Sequence, residues 1–429
     1  MKSKFCVIFL AVFALVAGCN EDSPASPDVP PDASVLQIDS LSYTKTYFSW
    51  TWTECNSDNF ESYRLYSSLS EGLALQDTIS MTCVFSEFDS TFTTCIDSTF
   101  VPGVQYYYAL VTRNSDGLCS WSNEVSSSFQ PDCPDSVTAS MSLSGPRSIC
   151  FTPNGNYAYV SGFLGYIYVI DTVSFTLVNT IEHIQYVDQM CMLPSGDFVY
   201  AVQYENTDIY QSTMVVIDTA TNSIVTVFDI GLSSRGLCTV PGKDLVYVCN
   251  AGEESIYVID TQLHAVVDTI ETGSYNTRSI CSVPSGEFVY AARTNSDDVI
   301  VISTATNEIV ETIPIGYPSP GSIVSVPSGE YVFVATWDGH IGVIRTFDNT
   351  LIKTFNSYGS ISQLCCHPDG KYIYAVGSRE GIAIIDTNLM QRVGEIDSPV
   401  SSSFGIASSP TGEQFYVAAG SGDLMFLIE

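Results

Sequence analysis

Residues 144 to 429 repeat one pattern of apolar strands and turns seven times, and this repeat limits what the chain can fold into. Each unit has an apolar strand, a Pro-x-Gly turn or a close variant, a Tyr-Val strand, a strand ending in Val-Ile-Asp-Thr, and a further strand. Positions that stay fixed among the units indicate scaffold, and positions that differ indicate where function can lie. The turn prolines lie 41 to 47 residues apart, at Pro153, Pro194, Pro241, Pro284, Pro327, Pro368 and Pro410.

The period of the repeat predicts a β-propeller, because about 40 to 45 residues with four short strands are typical of one blade. The sequence therefore predicts an all-β chain with a seven-bladed propeller over residues 136–429. The last unit ends at Glu429 without a fourth strand, whereas residues 137–143 alternate like the fourth strands elsewhere. We expect residues 136–143 to form the outer strand of the last blade, which would close the ring and remove an open sheet edge.

The repeated strands resemble those of the YVTN-repeat propellers, which occur in surface-layer and periplasmic proteins. The resemblance covers the whole second domain and implies a seven-bladed propeller. Ser303 and Arg345 depart from the pattern, since they replace the aspartate of the last turn. The segments that carry the resemblance are 158–161, 246–249 and 373–376, paired with 169–172, 258–261 and 384–387.

The first 33 residues have the pattern of an export signal followed by a tether. Lys2 and Lys4 precede an apolar stretch at 5–17, which is shorter than the roughly 20 residues that span a bilayer. Residues 16–19 resemble the bacterial lipobox, which implies a signal peptide at 1–19 and lipidation of Cys19. The alternative is an ordinary signal peptide with a chance cysteine. The segment 20–33, rich in Pro, Asp and Ser, is expected to be a flexible tether.

A lipid anchor of this kind attaches a protein to a membrane without spanning it. We therefore expect a lipoprotein of the bacterial cell envelope, on the outer membrane or the cell surface. The formal charge of −32 and the pI near 4.1 argue against a nucleic-acid partner, which needs concentrated Lys and Arg.

Residues 34–130 alternate like an antiparallel sandwich, and 131–135 are expected to be a hinge. Residues 100–108 and 117–125 resemble the tyrosine corner and the last strand of fibronectin type III domains. That resemblance implies a fibronectin type III-like sandwich that acts as a rigid spacer. The predicted strands are 35–42, 47–53, 62–68, 91–96, 105–113 and 120–127.

The sandwich contains Cys55, Cys83, Cys95 and Cys119. Disulfides are expected in an exported protein. Cys55 and Cys119 fall in loops that meet at one pole of such a sandwich, so a Cys55–Cys119 bridge is preferred, with Cys83–Cys95 as the second. The sequence alone allows three connectivities.

Strand order places two kinds of connection on opposite faces of the predicted propeller. The Pro-x-Gly and Asp-Thr turns share one face and hardly vary. The loops between the second and third strands, and between blades, share the other face and vary widely, as in the insertion at 203–213. Because binding residues concentrate on loops held by a rigid scaffold, the variable face is the candidate binding face.

Arginines gather on this variable face. Arg147, Arg235 and Arg278 occupy the same position in three units, at the start of the innermost strand, and Arg293 and Arg379 are in loops on the same face. They predict a site for a carboxylate-bearing or sugar-like ligand. In the alternative, each arginine pairs with a neighbour such as Asp188, Asp297 or Glu380 and only holds the channel mouth together. The aromatic residues expected beside the arginines include Tyr204, Tyr210, Trp337, Tyr186 and Phe404.

The innermost strands carry a column of cysteines that is predicted to be packing, because Val324 and Ala407 take the same place in other units. The column cysteines are Cys150, Cys191, Cys238, Cys281 and Cys365. The chain has no catalytic motif, no cofactor motif and no metal-binding set, and its four histidines belong to four different units. We therefore expect a non-enzymatic binding scaffold for a protein, glycan or matrix ligand. The alternative is a lactonase- or lyase-like enzyme acting at the central channel, an analogy with related propellers that rests on fold alone.

Overall fold

The computed structural model describes residues 36–42, 47–52, 60–68, 82–87, 94–97, 105–115, 119–122 and 125–128, and also 134–429 except 164, 183, 207–210, 358, 379–380, 399–402 and 420–422. The described residues are all-β, with 36 strands and no helix. In this part of the chain no helix is long and apolar enough to span a membrane. The chain divides into one compact unit that ends at Asp132 and another that begins at Cys133.

The first unit contains two antiparallel sheets, one ordered β1-β2-β5 and the other β4-β3-β6-β7, with β8 also paired to β6. Trp52 and Tyr63 are buried between the sheets, with their rings 5.5 Å apart. The sequence predicted one last strand where the structure has β7 and β8, and it did not predict β4. The strands are β1 (Leu36–Ser42), β2 (Tyr47–Trp52), β3 (Phe60–Ser68), β4 (Thr82–Glu87), β5 (Thr94–Asp97), β6 (Gln105–Asn114), β7 (Cys119–Trp121) and β8 (Val125–Ser128).

Three of the four sandwich cysteines lie on these strands. Cys83 is in β4, Cys95 is in β5, and Cys119 begins β7. Cys55 lies outside the described residues. The predicted disulfides therefore stay predictions.

In the described part of the second unit the strands form seven four-stranded antiparallel sheets, which we number 1 to 7 along the chain. Sheets 1 to 3 are β10 (Pro146–Phe151), β11 (Tyr157–Gly162), β12 (Tyr166–Asp171) and β13 (Thr176–Ile181); β14 (Tyr186–Met192), β15 (Phe198–Asn206), β16 (Gln211–Asp218) and β17 (Ser223–Leu232); and β18 (Ser234–Thr239), β19 (Leu245–Asn250), β20 (Ser255–Asp260) and β21 (Ala265–Glu271).

Sheets 4 to 6 follow in the same order. They are β22 (Thr277–Ser282), β23 (Phe288–Arg293), β24 (Asp298–Ser303) and β25 (Glu308–Pro314); β26 (Pro320–Ser325), β27 (Tyr331–Thr336), β28 (His340–Arg345) and β29 (Thr350–Asn356); and β30 (Ile361–Cys366), β31 (Tyr372–Gly377), β32 (Ile382–Asp386) and β33 (Gln391–Ile396).

Sheet 7 joins the two ends of the second unit. Its strands β34 (Gly405–Ser408), β35 (Phe415–Ala419) and β36 (Leu424–Ile428) come from the end of the chain, and β9 (Val137–Ser142) precedes sheet 1. β9 is antiparallel to β36, with Met141 opposite Met425. The ends of the pairing are held by backbone hydrogen bonds, from Leu143 to Asp423 at 2.9 Å and from Glu429 to Ser136 at 3.1 Å.

The apolar core lies between consecutive sheets, which explains why the middle strands are buried on both faces. One cluster joins Tyr159 and Val169 of sheet 1 to Val199 and Val215 of sheet 2, and similar clusters follow around the unit. The column cysteines pack in or against these clusters. Burial raises the pKa of Cys150 to about 12, so the thiol is neutral and behaves as a small apolar group. This is the packing role expected from the sequence.

One face of the second unit carries the turns that follow the first and third strands of a sheet, and we call it the turn face. Here the threonine of the Asp-Thr motif donates to the carbonyl of the Pro-x-Gly glycine of its own sheet: Thr172 to Gly155 at 2.5 Å and Thr219 to Gly196 at 2.6 Å. The aspartate accepts from the turn that follows, as when Asp171 accepts from the Ser174 amide. These two motifs are therefore scaffold that fastens two turns together.

The Tyr-Val tyrosine adds a link between neighbouring sheets on the turn face. The hydroxyl of Tyr159 donates to Asn222 of the next sheet at 2.6 Å, and Tyr290 donates to Asn349 in the same way. Both asparagines have positive φ, about 50°, a conformation that asparagine tolerates well.

Candidate functional site

The opposite face carries the starts of the innermost strands, and we call it the ring face. In each sheet one residue lies three positions before the column cysteine, or before the residue that replaces that cysteine. These seven residues form a ring. All seven members line a single cavity of about 220 Å³, together with Gln189, Trp337, Ser360 and Ile361. The ring members are Arg147, Asp188, Arg235, Arg278, Gly321, Ser362 and Phe404.

A backbone irregularity places most of these side chains. In sheets 1 to 6 the pairing of the first and second strands shifts register at the ring position, for example between Pro146 and Ile149 and between Ser234 and Leu237. The same shift occurs in the other four of these sheets. Because a β-bulge turns a side chain away from its regular direction, a repeated bulge brings one residue per sheet to the same cavity.

Asp188 binds two of the three ring arginines. Its Oδ1 accepts from Nε of Arg147 at 2.6 Å, and its Oδ2 accepts from Nη1 of Arg235 at 3.3 Å. The hydroxyl of Tyr204 also donates to Oδ2, at 3.3 Å, and to the carbonyl of Ser234. The Asp188 side chain is only 4% exposed, so this buried charge depends on its partners.

Arg278 is held separately. Its Nε donates to Oδ1 of Asn276 at 2.5 Å, and its guanidinium lies 4.7 Å from the ring centre of Trp337. Burial, and then the nearby charge of Arg235, lower the pKa of Arg278. Gly321 makes room for the indole, because a Cβ atom there would lie 2.3 Å from Trp337 Nε1. Trp337 thus occupies the place that a ring side chain would take in sheet 5.

The guanidinium of Arg147 lies between two aromatic rings, 5.3 Å from the centre of Tyr186 and 5.3 Å from that of Phe404. Tyr186 in turn stacks on Tyr204 at 5.5 Å. Burial raises the pKa of Tyr186 to about 12, so its hydroxyl is neutral. These contacts restrict the orientation of the guanidinium plane of Arg147.

The ring has more hydrogen-bond donors than acceptors. Among the described residues, the two terminal nitrogens of Arg147 and of Arg278, and Nη2 of Arg235, have no hydrogen-bond acceptor. Three guanidinium groups and one carboxylate give the ring two net positive charges, in a chain of formal charge −32. Such a site can accept an anion by charge-assisted hydrogen bonds.

A second cavity of about 160 Å³ adjoins the first on sheet 6. The two cavities share Ser360 and Ile361 as lining residues. Arg392 at the edge of the second cavity is paired with Glu395 and donates to the Ser357 carbonyl at 3.4 Å. The remaining lining is small or uncharged, with Ser357, Gly359, Gly377 and Ala383.

The structure brings some of the predicted site residues together and places others elsewhere. Arg147, Arg235, Arg278 and Trp337 line one cavity, and Tyr204 lies behind Asp188, only 6% exposed. Arg293 does not line this cavity: it makes a two-pronged pair with Asp298, at 2.7 and 2.6 Å, and donates to the Thr272 carbonyl. Arg379, Tyr210 and Cys19 lie outside the described residues.

Sequence reasoning missed that Asp188, Gly321, Ser362 and Phe404 occupy the same ring position as the arginines. It treated Asp188 as a possible neighbour, and the structure shows it paired with two arginines at once. Aligning the seven units on the cysteine column would have found the full ring. In the described part of the chain, no group of three or more His, Cys, Asp or Glu side chains is placed to hold a metal ion.

No protein-family model matches the chain, and no curated protein matches it. Among the many solved structures that match is Kuenenia stuttgartiensis Hydrazine Synthase, with a TM-score of 0.59 and 19% identity. The match covers 67% of this chain and 96% of that one. At this identity the likeness concerns the fold alone, and with the repeated four-stranded sheets it identifies an all-β, propeller-like protein.

Proposed function

We propose that the second unit is a seven-bladed propeller of the YVTN type and that the protein is a non-enzymatic binding scaffold which captures an anionic partner at the ring. The observation that carries this proposal is the set of three arginines in one cavity, with terminal donors that no described residue satisfies. The side chains of Arg147 and Arg235 are each 28% exposed, so water reaches this part of the ring, and an anion would replace that water with charge-assisted hydrogen bonds.

Electrostatics favours this location over the rest of the surface. The chain has 15 Lys and Arg residues against 47 Asp and Glu residues, so most of its surface repels anions. Three guanidinium groups in a recessed cavity with aromatic walls produce a local positive potential that the acidic surroundings do not cancel at short range. A protein, glycan or matrix component with an exposed acidic group is the class of partner that fits.

The rest of the chain would present this site outside the cytoplasm. In this proposal Cys19 carries the lipid, residues 20–33 are the tether, and the first unit is a fibronectin type III-like spacer. The order of its sheets, β1-β2-β5 and β4-β3-β6-β7, supports a sandwich of that type. The location is the bacterial cell envelope, on the outer membrane or the cell surface.

The enzymatic alternative, a lactonase- or lyase-like reaction at the channel, has no observation in the described residues that favours it. The likeness to a hydrazine synthase, at 19% identity, supports the fold and transfers no activity. We therefore propose binding and not turnover.

The test compares the ring with the opposite face. The full chain, purified in detergent, is titrated by calorimetry with uronate oligosaccharides, sulfated oligosaccharides and acidic peptides. We expect at least one class to bind, and the triple variant Arg147→Ala/Arg235→Ala/Arg278→Ala to lose more than about 100-fold in affinity, because each charge-assisted hydrogen bond contributes about 1.5–3 kcal/mol.

Arg345→Ala is the matched control, because Arg345 is an arginine of the turn face that pairs only with nearby Asp348 and Thr350. It should bind like the parent. Equal affinity of the triple variant and the parent, or no binding of any anionic class by the parent, would refute the proposed function.

A further inference from the structure

The ring is divided into two unlike arcs. Sheets 1 to 4 contribute Arg147, Asp188, Arg235 and Arg278, which together carry all of its charge. Sheets 5 to 7 contribute Gly321, Ser362 and Phe404, which are uncharged, and Trp337 stands beside Gly321. A small symmetric anion would contact only the charged arc of sheets 1 to 4. A ligand that also fills the uncharged arc therefore has a second, uncharged part.

The uncharged arc has the chemistry that suits a sugar ring. Trp337 is 44% exposed and Phe404 is 38% exposed, so both rings can receive the C–H face of a pyranose. Ser360 and Ser362 offer hydroxyl groups to sugar hydroxyls, and the Trp337 N–H has no acceptor among the described residues. Exposed aromatic rings with few, well-placed polar groups are typical of small-molecule sites.

The uncharged arc also leads outward. Ser360 and Ile361 line both the ring cavity and the second cavity on sheet 6. Each cavity, at about 220 and 160 Å³, is smaller than the roughly 300–1,000 Å³ of a site for a drug-sized ligand, so each suits one small unit of a longer ligand. The ring cavity therefore passes from the positive arc, across the aromatic and hydroxyl arc, into the groove on sheet 6, where Arg392 and Glu395 pair with each other.

Resting on the proposed function, we infer that the ligand is an acidic oligosaccharide bound by its terminal sugar. The carboxylate of that sugar lies against Arg147, Arg235 and Arg278, and its ring lies against Trp337. The next sugar passes over Ser360 into the groove on sheet 6. An acidic peptide is the weaker fit, because among the described residues that line the groove the one arginine is already paired with Glu395.

Calorimetry on the full chain in detergent tests this inference with defined probes. These are trisaccharides of galacturonate, of glucuronate and of a terminal sialic acid, their carboxyl-reduced counterparts, citrate, inorganic sulfate and a hexa-aspartate peptide. We expect one acidic trisaccharide to bind at least about tenfold more tightly than its reduced counterpart, citrate, sulfate and the peptide.

Two variants separate the parts of the site. Trp337→Ala should weaken the trisaccharide by roughly three- to tenfold and sulfate by less, because sulfate loses only the support that the indole gives to Arg278. Its control is Phe347→Ala, which removes an aromatic ring that is 92% exposed in a turn-face turn. Ser360→Leu should weaken the trisaccharide more than the matching monosaccharide, because both lose the Ser360 hydroxyl but only the trisaccharide uses the passage between the cavities.

Binding of sulfate, citrate or the peptide as tight as that of the best acidic trisaccharide would overturn the sugar assignment and leave the proposed anion capture standing. So would a trisaccharide affinity that Trp337→Ala and Ser360→Leu both leave unchanged. Absence of binding by every probe would remove the inference and the proposed function together.

Discussion

The turn face and the ring face of the second unit are built on the same repeated backbone and use it in opposite ways. On the turn face the repeated side chains have hydrogen-bond partners nearby: Thr172 with the Gly155 carbonyl, Asp171 with the Ser174 amide, and Tyr159 with Asn222. On the ring face one bulged position recurs and presents a different side chain in most sheets. Residues that recur with the same hydrogen-bond partners indicate scaffold. A backbone position that recurs with different side chains indicates a binding site.

The link between the tyrosine and the next sheet is not the same in every sheet. In sheet 5 the Tyr-Val tyrosine is replaced by Phe333, and the residue it would reach in sheet 6 is Met390, which packs in the same apolar cluster. Met390 keeps the positive φ of the asparagines, at 52°. In sheet 5 the two positions match as a phenyl ring with a thioether, whereas in sheet 7 Tyr416 keeps its hydroxyl although the partner position is Phe175. Nothing comparable links neighbouring members on the uncharged arc of the ring.

The largest expected effect comes from removing the buried carboxylate of the ring, Asp188. Asp188→Ala removes the carboxylate that binds Arg147 and Arg235, and it leaves their two guanidinium groups close together. Because both arginines are partly exposed to water, we expect the free energy of unfolding to fall by about 2 kcal/mol. Urea unfolding followed by fluorescence measures it.

Asp348→Ala is the matched control on the turn face. Asp348 also pairs with an arginine, Arg345, but at the exposed surface, where such pairs contribute little. We expect no measurable change for this variant. If both variants unfold like the parent, Asp188 is not what organises the ring.

The sequence predicted the scaffold better than the site, and particular residues show why. The Pro-x-Gly and Asp-Thr turns recur because a threonine joins them by the same local hydrogen bond in sheets 1, 2, 4, 5 and 6, so periodicity alone locates them. The arginines at 147, 235 and 278 were visible as a shared position. The pairing of two of these arginines depends on Asp188 of another sheet, which no single unit encodes. Nor does the repeat show that Gly321 leaves space for Trp337, or that Arg293 pairs with Asp298.

A smaller effect is expected from the tyrosine links between sheets. Tyr290→Phe removes the hydroxyl that donates to Asn349 at 2.6 Å and should lower the free energy of unfolding by about 1 kcal/mol. The double variant Tyr290→Phe/Asn349→Met reproduces the natural Phe333 and Met390 pair and should recover most of that loss. A double-mutant cycle by urea unfolding measures the coupling. If the two losses simply add, the hydroxyl and the amide are not an energetic pair.

The smallest effect distinguishes two aspartates at the same turn-face position and depends on pH. Burial raises the pKa of Asp386 above its ordinary value, whereas hydrogen bonds from Ser174 hold the pKa of Asp171 below it. A carboxyl group with a raised pKa in the folded state stabilises the fold only at low pH, and that contribution is lost as the pH rises through its folded pKa. For Asp171 the sign is reversed, and its contribution is present above the ordinary carboxyl pKa and lost on acidification.

Asp386→Asn keeps an oxygen acceptor for the amides of Asn388 and Leu389, at 2.9 and 2.8 Å, without burying a charge. Its stability relative to the parent should therefore rise from about pH 3 to pH 7, by less than ~1 kcal/mol. Asp171→Asn should change in the opposite direction over the same range. Urea unfolding at several pH values measures the stability of each variant relative to the parent. If that difference depends on pH in the same way for both variants, burial does not distinguish the two aspartates. Opposite slopes would show that turns with the same Asp-Thr motif still differ in the pKa of the aspartate.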